Sequence, residues 1–221
     1  MAVLTISRDV GSGGLELARR IAELADYRIA DKGVIEHIMT EYGFVNFDKS
    51  YETSGGFFSA EEDLTERTIS FLDRVIRALA KADRVIIVGR GGFAPLEGLT
   101  DVMHLRATAP FQVRVDRVMR ENSIAARADA ERYVTSRDKA RRGFVARYYG
   151  IHWEDTSPFD LVVDMDTIGV EPVARLMADS LERADTRTRK EPSVRSIETD
   201  NLLLDVVKKR LTEPFETMTD S

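Results

Sequence analysis

The chain contains no cysteine, and this absence removes several kinds of chemistry. Disulfide bonds, thiolate metal sites and cysteine nucleophiles are all excluded. Histidine is scarce as well, and the three histidines (His37, His104, His152) are too dispersed to indicate a metal site. A chain without cysteine is compatible with a cytoplasmic enzyme, and this is the location that we expect.

Long hydrophobic runs are also missing. No apolar run among the 221 residues is long enough to span a bilayer, and the N-terminus lacks the basic-then-apolar pattern of a signal peptide. The net charge of −6 argues against a chain that binds polyanions through its overall charge. We therefore expect small-molecule partners rather than nucleic acid or a membrane, and the sequence leaves a homo-oligomer open.

Lysine is rare among the basic residues, which comprise seven lysines and 25 arginines. Ten of the arginines fall between Arg106 and Arg147. Because arginine binds phosphate through a planar, bidentate fork, an arginine-rich segment in an acidic chain predicts a local anion site. A solvated helix face would account for the same arginines, so composition alone leaves both interpretations open.

Short apolar runs alternate with helical periodicity along most of the chain. Strands are predicted at residues 2–7, 27–30, 84–92, 101–107 and 159–165. Helices are predicted at about 15–24, 31–39, 59–82, 110–121, 128–149 and 170–183. This alternation predicts parallel βαβ units, and hence an α/β fold whose parallel sheet carries helices on both faces.

Two segments fall outside this pattern. Residues 43–60 are rich in glycine, serine and aromatic residues and are interpreted as a long mobile loop of the kind that often carries function. After residue 184 the composition changes, which predicts a linker and then a short amphipathic helix in "NLLLDVVKKRL", within a tail spanning 185–221. That tail could dock on the core or on a partner, or it could fray.

The segment "SRDVGSGGLELARR", residues 7–20, places glycines between the first strand and the first helix. A loop at that position directs backbone N–H groups towards an anion at the positive end of the helix dipole. Against the phosphate-loop pattern G-x-x-x-x-G-K-[ST], Arg8 takes the first glycine slot, Gly14 the lysine slot and Leu15 the hydroxyl slot. The loop is therefore either a phosphate cradle without its usual cation or a glycine-rich turn.

The chain resembles the cytidylate kinase-like family of P-loop nucleoside monophosphate kinases from residue 2 to about residue 181. The resemblance rests on five segments in order: "TISRDVGSGG", "VIIVGRGG", "HLRATAPFQVRVDRVM", "SRDKARRGFVARYYGIHWED" and "FDLVVDMD". In this branch of the family the loop typically lacks the lysine. The resemblance implies a P-loop kinase-like domain over residues 1–184 with a helical lid at about 128–155, and it implies the use of ATP and Mg²⁺.

Several departures from the family pattern concern the substrate. Better-understood cytidylate kinases carry a DGRD segment where this chain has Val88 to Gly91, so Gly91 replaces the acid that helps to read cytosine. In those relatives the acceptor-side helix begins aspartate–serine–glycine and carries an arginine. Here it reads "DKGVIEH", with Lys32 in place of the serine and His37 in place of the arginine. Binding of a phosphate is implied by the resemblance, whereas recognition of cytosine is not.

Three groups of candidate site residues follow. The loop residues are expected to hold the donor phosphates through backbone N–H groups: Gly11, Ser12, Gly13 and Gly14. By resemblance, Arg90 holds the acceptor phosphate, and Asp31 and Arg8 join it on the substrate side. The lid supplies the candidate catalytic residues Arg137, Arg141 and Arg142.

The sequence leaves alternatives open for the arginines on the two helices that follow residue 110. On a helix, Arg137 and Arg141 share a face and Arg142 lies about 100° further round. The alternative is a surface helix paired with its own acids, among them Asp138. Of Arg114 and Arg117, one is expected to reach the site and the other to be paired on the surface.

The resemblance implies transfer of the ATP γ-phosphoryl group to a nucleoside monophosphate or another small phosphorylated acceptor. A catalytically weak or inactive nucleotide-binding sensor on the same fold is the alternative, favoured by the uncharged residues Leu15, Val88 and Gly91. Arg90 and the lid arginines favour the kinase, because binding alone would not need a charged lid. A structural protein with no nucleotide affinity is the third reading.

Overall fold

A parallel sheet lies at the centre of the molecule in the computed structural model, which describes residues 2–44, 62–186 and 191–212. Its five strands have the order β2-β3-β1-β4-β5. The strands are β1 (Val3–Arg8), β2 (Arg28–Ala30), β3 (Val85–Val88), β4 (Val102–Thr108) and β5 (Leu161–Asp164). In the register of the sheet, Leu4 of β1 pairs with Ile86 of β3 and Met103 of β4. This order puts the carboxyl end of β1 between those of its two neighbours.

Helices follow the strands as the alternating pattern predicts. They are α1 (Gly14–Ala25), α2 (Lys32–Glu41), α3 (Glu62–Lys81), α4 (Phe111–Glu121), α5 (Arg127–Tyr149), α6 (Val170–Thr186) and α7 (Asn201–Thr212), with 3₁₀ turns at Ala94–Leu96 and Val194–Ser196. The predicted α/β fold is confirmed. Most of the loop predicted at 43–60 and the first residues of the helix predicted at about 59–82 lie outside the described residues.

The strand predicted at 84–92 is shorter than expected and ends at Val88. Gly89, Arg90 and Gly91 have backbone φ angles of +81°, +53° and +66°, so the chain turns away from the sheet directly after the strand. Only glycine adopts this region readily, and a non-glycine residue such as Arg90 adopts it at a cost. The turn leaves Arg90 at the carboxyl edge of β3.

Both faces of the sheet are buried, as a parallel sheet requires. Val3 of β1 faces a core that contains Ile35 of α2 and Ile76 of α3. Its neighbour Leu4 faces the opposite core, which contains Ile21 of α1. The alternation of side chains along each strand therefore distributes the apolar residues between two helical layers. Within the described ranges, no helix combines the length and the apolar character needed to cross a membrane.

Helices α4 and α5 pack against each other around a third, smaller core. It consists of Val10 from the loop after β1 and four helix residues, Val115, Val118, Ala130 and Val134. Farther along α5, Phe144 and Val145 enter the core on the α2–α3 side of the sheet. The helix predicted as a lid is therefore held to the glycine loop at one end and to the main core at the other.

The described part of the tail packs on the main core. Val194, Leu203 and Val207 are buried against the α2–α3 side. The backbone N–H of Val194 also donates to a carboxylate oxygen of Asp101 at 2.8 Å. A division of the chain at residue 184 stays a prediction, but residues 191–212 share their apolar contacts with the sheet domain.

Candidate phosphate site at the carboxyl edge of the sheet

The glycine loop joins β1 to α1 in the middle of the sheet's carboxyl edge. Gly11 and Gly13 have φ angles of +73° and +85°, which side chains other than glycine rarely adopt. A Cβ atom on Gly11 would lie 2.6 Å from the carbonyl oxygen of Arg114, so the loop packs directly on α4. Gly13 is the N-cap of α1 and, as a glycine, supplies no side-chain cap to that helix. The first N–H groups of α1 therefore face the loop, as in anion-binding helix termini.

Ser12 lies at the centre of this loop and is fully buried. Its backbone N–H donates to the carbonyl oxygen of Asp9 at 3.2 Å. Its Oγ atom has no hydrogen-bond partner among the residues that the structure describes. A buried hydroxyl group without a partner is unfavourable, and such groups in native proteins call for an explanation. A bound phosphate oxygen would satisfy this hydroxyl, so the loop fits a phosphate group.

Three arginines from two elements line a cleft beside the loop. Arg8 ends β1, and its carbonyl oxygen accepts a hydrogen bond from Nη1 of Arg141 at 3.0 Å. Arg137 lines the same cleft, with its guanidinium 5.4 Å from the centre of the Tyr133 ring. The cleft is lined by Arg8, Asp9, Val10, Gly11, Val118, Glu121, Tyr133, Arg137 and Arg141. Two of the three predicted lid arginines are thus brought to the glycine loop.

Arg142 is not brought into this group. Its side chain is 53% exposed, and its Nη1 atom lies 3.7 Å from a carboxylate oxygen of Glu154. Its position follows from the pitch of α5, which turns Arg142 away from the face that carries Arg137 and Arg141.

Of the two arginines of α4, one reaches the glycine loop and the other is buried rather than paired on the surface. Arg117 reaches the loop, since its Nη1 atom donates to the carbonyl oxygen of Gly11 at 3.0 Å. The expectation that the other is paired on the surface is wrong, because Arg114 is buried and its Nη1 atom lies 2.6 Å from Oδ2 of Asp138. The reason is the direct packing of α4 on Gly11, which encloses the Arg114 side chain.

Asp138 joins the glycine loop to both helices. Its Oδ1 atom accepts the backbone N–H of Val10 at 3.0 Å, while Oδ2 accepts from Arg114. Since Asp138 is only 5% exposed, it is not one of the surface partners that the alternative interpretation of this helix requires. The contact fixes α5 relative to the loop, with Arg137 beside it in sequence and Arg141 one turn later.

Asp9 lies beside this buried pair. Burial raises the pKa of the Asp9 carboxyl group, and the negative charge of Asp138 raises it further. Nε1 of Trp153 donates to Asp9 at 3.1 Å, and the Arg106 guanidinium stacks 4.6 Å from the centre of the Trp153 ring. Trp153 is buried at the end of the segment that follows α5, so it packs rather than presenting a face to a ligand.

Arg90 occupies the other side of the site, between β3 and α2. It is 5% exposed and contacts a carboxylate oxygen of Glu36. Burial lowers the pKa of Arg90, and the positive charges of Arg8 and Arg141 lower it further, whereas Asp31 opposes the shift. The guanidinium nevertheless stays protonated at neutral pH. Arg8, Arg90 and Arg141 therefore lie close enough for their positive charges to repel one another. A bound anion would relieve this repulsion.

Some of the predicted acceptor-side residues at α2 lie near Arg90, and others have a structural contact or face the surface. Asp31 is the N-cap of α2, and its Oδ1 atom accepts the N–H of Val34 at 3.1 Å. Lys32 lies 3.9 Å from Glu36, the residue that contacts Arg90. His37 pairs instead with Glu41 at 3.0 Å on the exposed side of the helix. Lys32 therefore lies beside the acid that contacts Arg90, whereas His37 pairs with a different acid, Glu41.

Comparison with known proteins agrees with this architecture. A model described as the cytidylate kinase-like family matches residues 3–167. The chain belongs to this family. The cytidylate kinase of Pyrobaculum arsenaticum is 29% identical over 182 residues, covering 81% of this chain and 92% of the relative. The cytidylate kinase of Haloarcula marismortui is 30% identical over 166 residues, covering 73% and 80%.

A solved structure shares the fold. It is an uncharacterized protein from Eubacterium ventriosum, with a TM-score of 0.63 and 17% sequence identity. The alignment covers 85% of this chain and all of the other. At that identity, the likeness concerns the fold of this member of the cytidylate kinase-like family and not its substrate.

Two residues of the candidate site in this family member were missed by sequence reasoning. Glu36 and Asp138 are acids on helices, where a surface role is the usual expectation for a carboxylate. A usable signal existed for Glu36, which stands four residues after Lys32 on the same helix face. No comparable local signal marks Asp138, because its backbone partner Val10 lies 128 residues away in the sequence.

The described residues supply no obvious set of ligands for a metal ion. Across the three described ranges, no group of three or more histidine, aspartate or glutamate side chains could hold one. Asp9, the acid nearest the loop, already accepts from Trp153 and lies 3.7 Å from Arg106. The residues present fit phosphate oxygens better than they fit Mg²⁺.

Proposed function

We propose that this protein is a phosphotransferase that transfers the γ-phosphoryl group of ATP to a nucleoside monophosphate. The observation that supports this most is the arrangement of arginines around a glycine loop whose buried serine hydroxyl has no hydrogen-bond partner in the described part of the chain. Membership of the cytidylate kinase-like family supports a nucleotide as the substrate class. A cytoplasmic location belongs to the same proposal.

On the donor side, the loop would hold the phosphates of ATP. Backbone N–H groups at the start of α1 would bind phosphate oxygens, and Ser12 Oγ would donate to one of them. Arg137 and Arg141 would neutralise the charge on the transferring group from the α5 side. Mg²⁺ commonly accompanies a triphosphate and shields its charge; we propose no carboxylate of this chain as its ligand.

On the acceptor side, Arg90 would orient the monophosphate. An oxygen of that phosphate forms the new bond to the γ-phosphorus, and the bond from the γ-phosphorus to the β,γ-bridging oxygen breaks, which leaves ADP. No general base is needed, because a phosphate monoester is largely ionised at neutral pH. The work of the protein is therefore alignment and charge neutralisation.

The base of the acceptor is left open in this proposal. A side chain at position 91 would place its Cβ 2.6 Å from a ring carbon of Tyr149 and 3.3 Å from one of Phe144. An acid at Gly91 would therefore require Tyr149 to move. Without that acid, recognition of cytosine has no support from this position.

A nucleotide-binding sensor without catalytic activity is the second candidate. It is favoured by Leu15, which occupies the hydroxyl slot of the loop and is buried in the α1 core with 6% exposure. No hydroxyl group is present at that position to assist a metal ion.

The two candidates differ in turnover. Incubation with ATP and Mg²⁺ and a panel of ribonucleoside and deoxyribonucleoside monophosphates is expected to yield ADP with at least one acceptor. Calorimetric binding of the same compounds is measured in parallel. Binding without turnover would favour the sensor, and absence of binding would contradict both candidates.

The arginines of α5 give a sharper test of the donor side. Arg137→Met and Arg141→Met are each expected to lower kcat/KM by about 10- to 100-fold, since a hydrogen bond to a charged group is worth about 1.5–3 kcal/mol. Arg132→Met on the same helix is the matched control, because Arg132 is 75% exposed and pairs with Asp129 on the surface. A loss of the same size in the control would remove the site role of the other two.

A further inference from the structure

The side chain of Arg8 fills the space above Gly14. A Cβ atom on Gly14 would lie 2.8 Å from Cβ and 3.1 Å from Cγ of Arg8, and the nearest atoms around that position all belong to Arg8. Gly14 is not among the glycines with a positive φ angle, so its backbone would accept any residue. Position 14 is therefore restricted to glycine by the presence of Arg8.

The guanidinium of Arg8 extends from the glycine loop to the end of β3. A Cβ atom on Gly89 would contact Nη1 of Arg8 and would lie 3.1 Å from its Cζ atom. Gly89 directly precedes Arg90, and after burial the charge of Arg8 is the next cause that lowers the pKa of Arg90. Arg8 thus lies between the loop and the proposed acceptor arginine.

These two positions are the ones in which the loop departs from the phosphate-loop pattern. Position 8 is the first glycine slot and position 14 the lysine slot. Because their Cβ atoms would be only 2.8 Å apart, a long side chain at one position requires glycine at the other. The arginine at position 8 and the absence of lysine at position 14 are therefore not independent departures from the pattern. Each is sterically coupled to the other.

We propose that residues 8 and 14 have exchanged the glycine and the cation, so that Arg8 binds the β- and γ-phosphates of ATP in place of a loop lysine. This inference rests on the proposed function. It moves Arg8 from the acceptor group, where the sequence placed it, to the donor phosphates. Its location next to Arg90 would let it neutralise the phosphoryl group as that group passes from donor to acceptor.

The test measures ATP affinity by calorimetry with ATP and Mg²⁺ and no acceptor. Arg8→Met keeps the apolar stem over Gly14 and removes the charge, so ATP binding is expected to weaken by about 10- to 100-fold. Arg8→Lys is expected to recover part of that loss. The exchange variant Arg8→Gly/Gly14→Lys restores the first glycine and the lysine of the loop pattern and leaves Leu15 in the hydroxyl slot. It is expected to bind ATP within about tenfold of the original chain.

A stability measurement probes the steric coupling without any nucleotide. Gly14→Lys alone is expected to lower Tm, because its Cβ collides with that of Arg8, whereas adding Arg8→Gly is expected to restore part of the loss. If the exchange variant does not fold, the pair Arg8→Met and Arg8→Lys decides the question of phosphate binding.

Several results would overturn the inference. Unchanged ATP affinity in folded Arg8→Met would do so, as would a folded exchange variant that binds no better than Arg8→Met. An effect of Arg8→Met confined to the KM of the acceptor would return Arg8 to the acceptor side. ATP binding by the original chain without turnover would refute the phosphotransferase, and the affinity of Arg8→Met for ATP would still decide the role of Arg8, whereas no ATP binding would refute both.

Discussion

Asp138→Ala is expected to lower the free energy of unfolding by about 3–5 kcal/mol, the usual cost of leaving one member of a buried ion pair without its partner. Arg114 would keep its hydrogen bonds to the carbonyl oxygens of Val10 at 3.0 Å and Ala109 at 3.1 Å, but its charge would be uncompensated. The backbone N–H of Val10 would lose its acceptor in the same substitution. Chemical unfolding in urea measures this change.

The matched control is Asp129→Ala, one residue from the small core on the same helix. Asp129 pairs with Arg132 where both side chains are more than half exposed, so its removal is expected to change stability by less than about 1 kcal/mol. A double variant, Arg114→Leu/Asp138→Leu, removes both charges and is expected to lose less stability than Asp138→Ala. Equal losses in the two single alanine variants would contradict the bridging role of Asp138.

The consequence for the site is positional. Arg137 precedes Asp138 and Arg141 follows it by three residues, so both approach the loop because Asp138 holds their helix there. In Asp138→Ala that is still folded at low temperature, kcat/KM is expected to fall while Arg132→Met leaves it unchanged. The buried hydrogen bonds of Asp138 to Val10 and Arg114 therefore set the distance between α5 and the glycine loop.

The fold could be predicted because its signals are local. The apolar run Val85–Val88 and the helical period of α1 are each determined by residues within a few positions of one another. Pro110 likewise marks the start of α4 through its own backbone restriction. Burial of charged residues is different, since it depends on partners that only the folded chain brings together.

The buried pair of Arg114 and Asp138 illustrates this. Both residues resemble surface residues because each stands on a polar helix, and their pairing joins positions 24 residues apart. The glycine at position 14 is visible in the sequence as a departure from the loop pattern, but its steric reason, the side chain of Arg8, is visible only in the structure. Such a steric relation between the two ends of a loop has no signature in periodicity or composition.

The acceptor side gives the second large effect. Arg90→Met/Glu36→Gln is expected to raise the KM of the acceptor by at least about 100-fold, because a bidentate contact comprises two charge-assisted hydrogen bonds of about 1.5–3 kcal/mol each. Both residues are changed because Arg90→Met alone would remove the guanidinium that contacts the carboxylate of Glu36, which is 21% exposed and lies 3.9 Å from Lys32. The affinity for ATP is expected to remain within about threefold of the original, because the donor loop keeps all its contacts.

Glu36→Gln alone separates binding from structure. In the absence of acceptor, Glu36 is the carboxylate that contacts Arg90, so it competes with a phosphate for the same guanidinium. Removing its charge is expected to lower the KM of the acceptor, while Arg90→Lys, which retains a point charge without the planar fork, is expected to raise it. An acceptor KM that stays constant in the double variant would remove Arg90 from the site. An opposite change in Glu36→Gln would mean that the carboxylate positions Arg90 for the acceptor rather than competing with it.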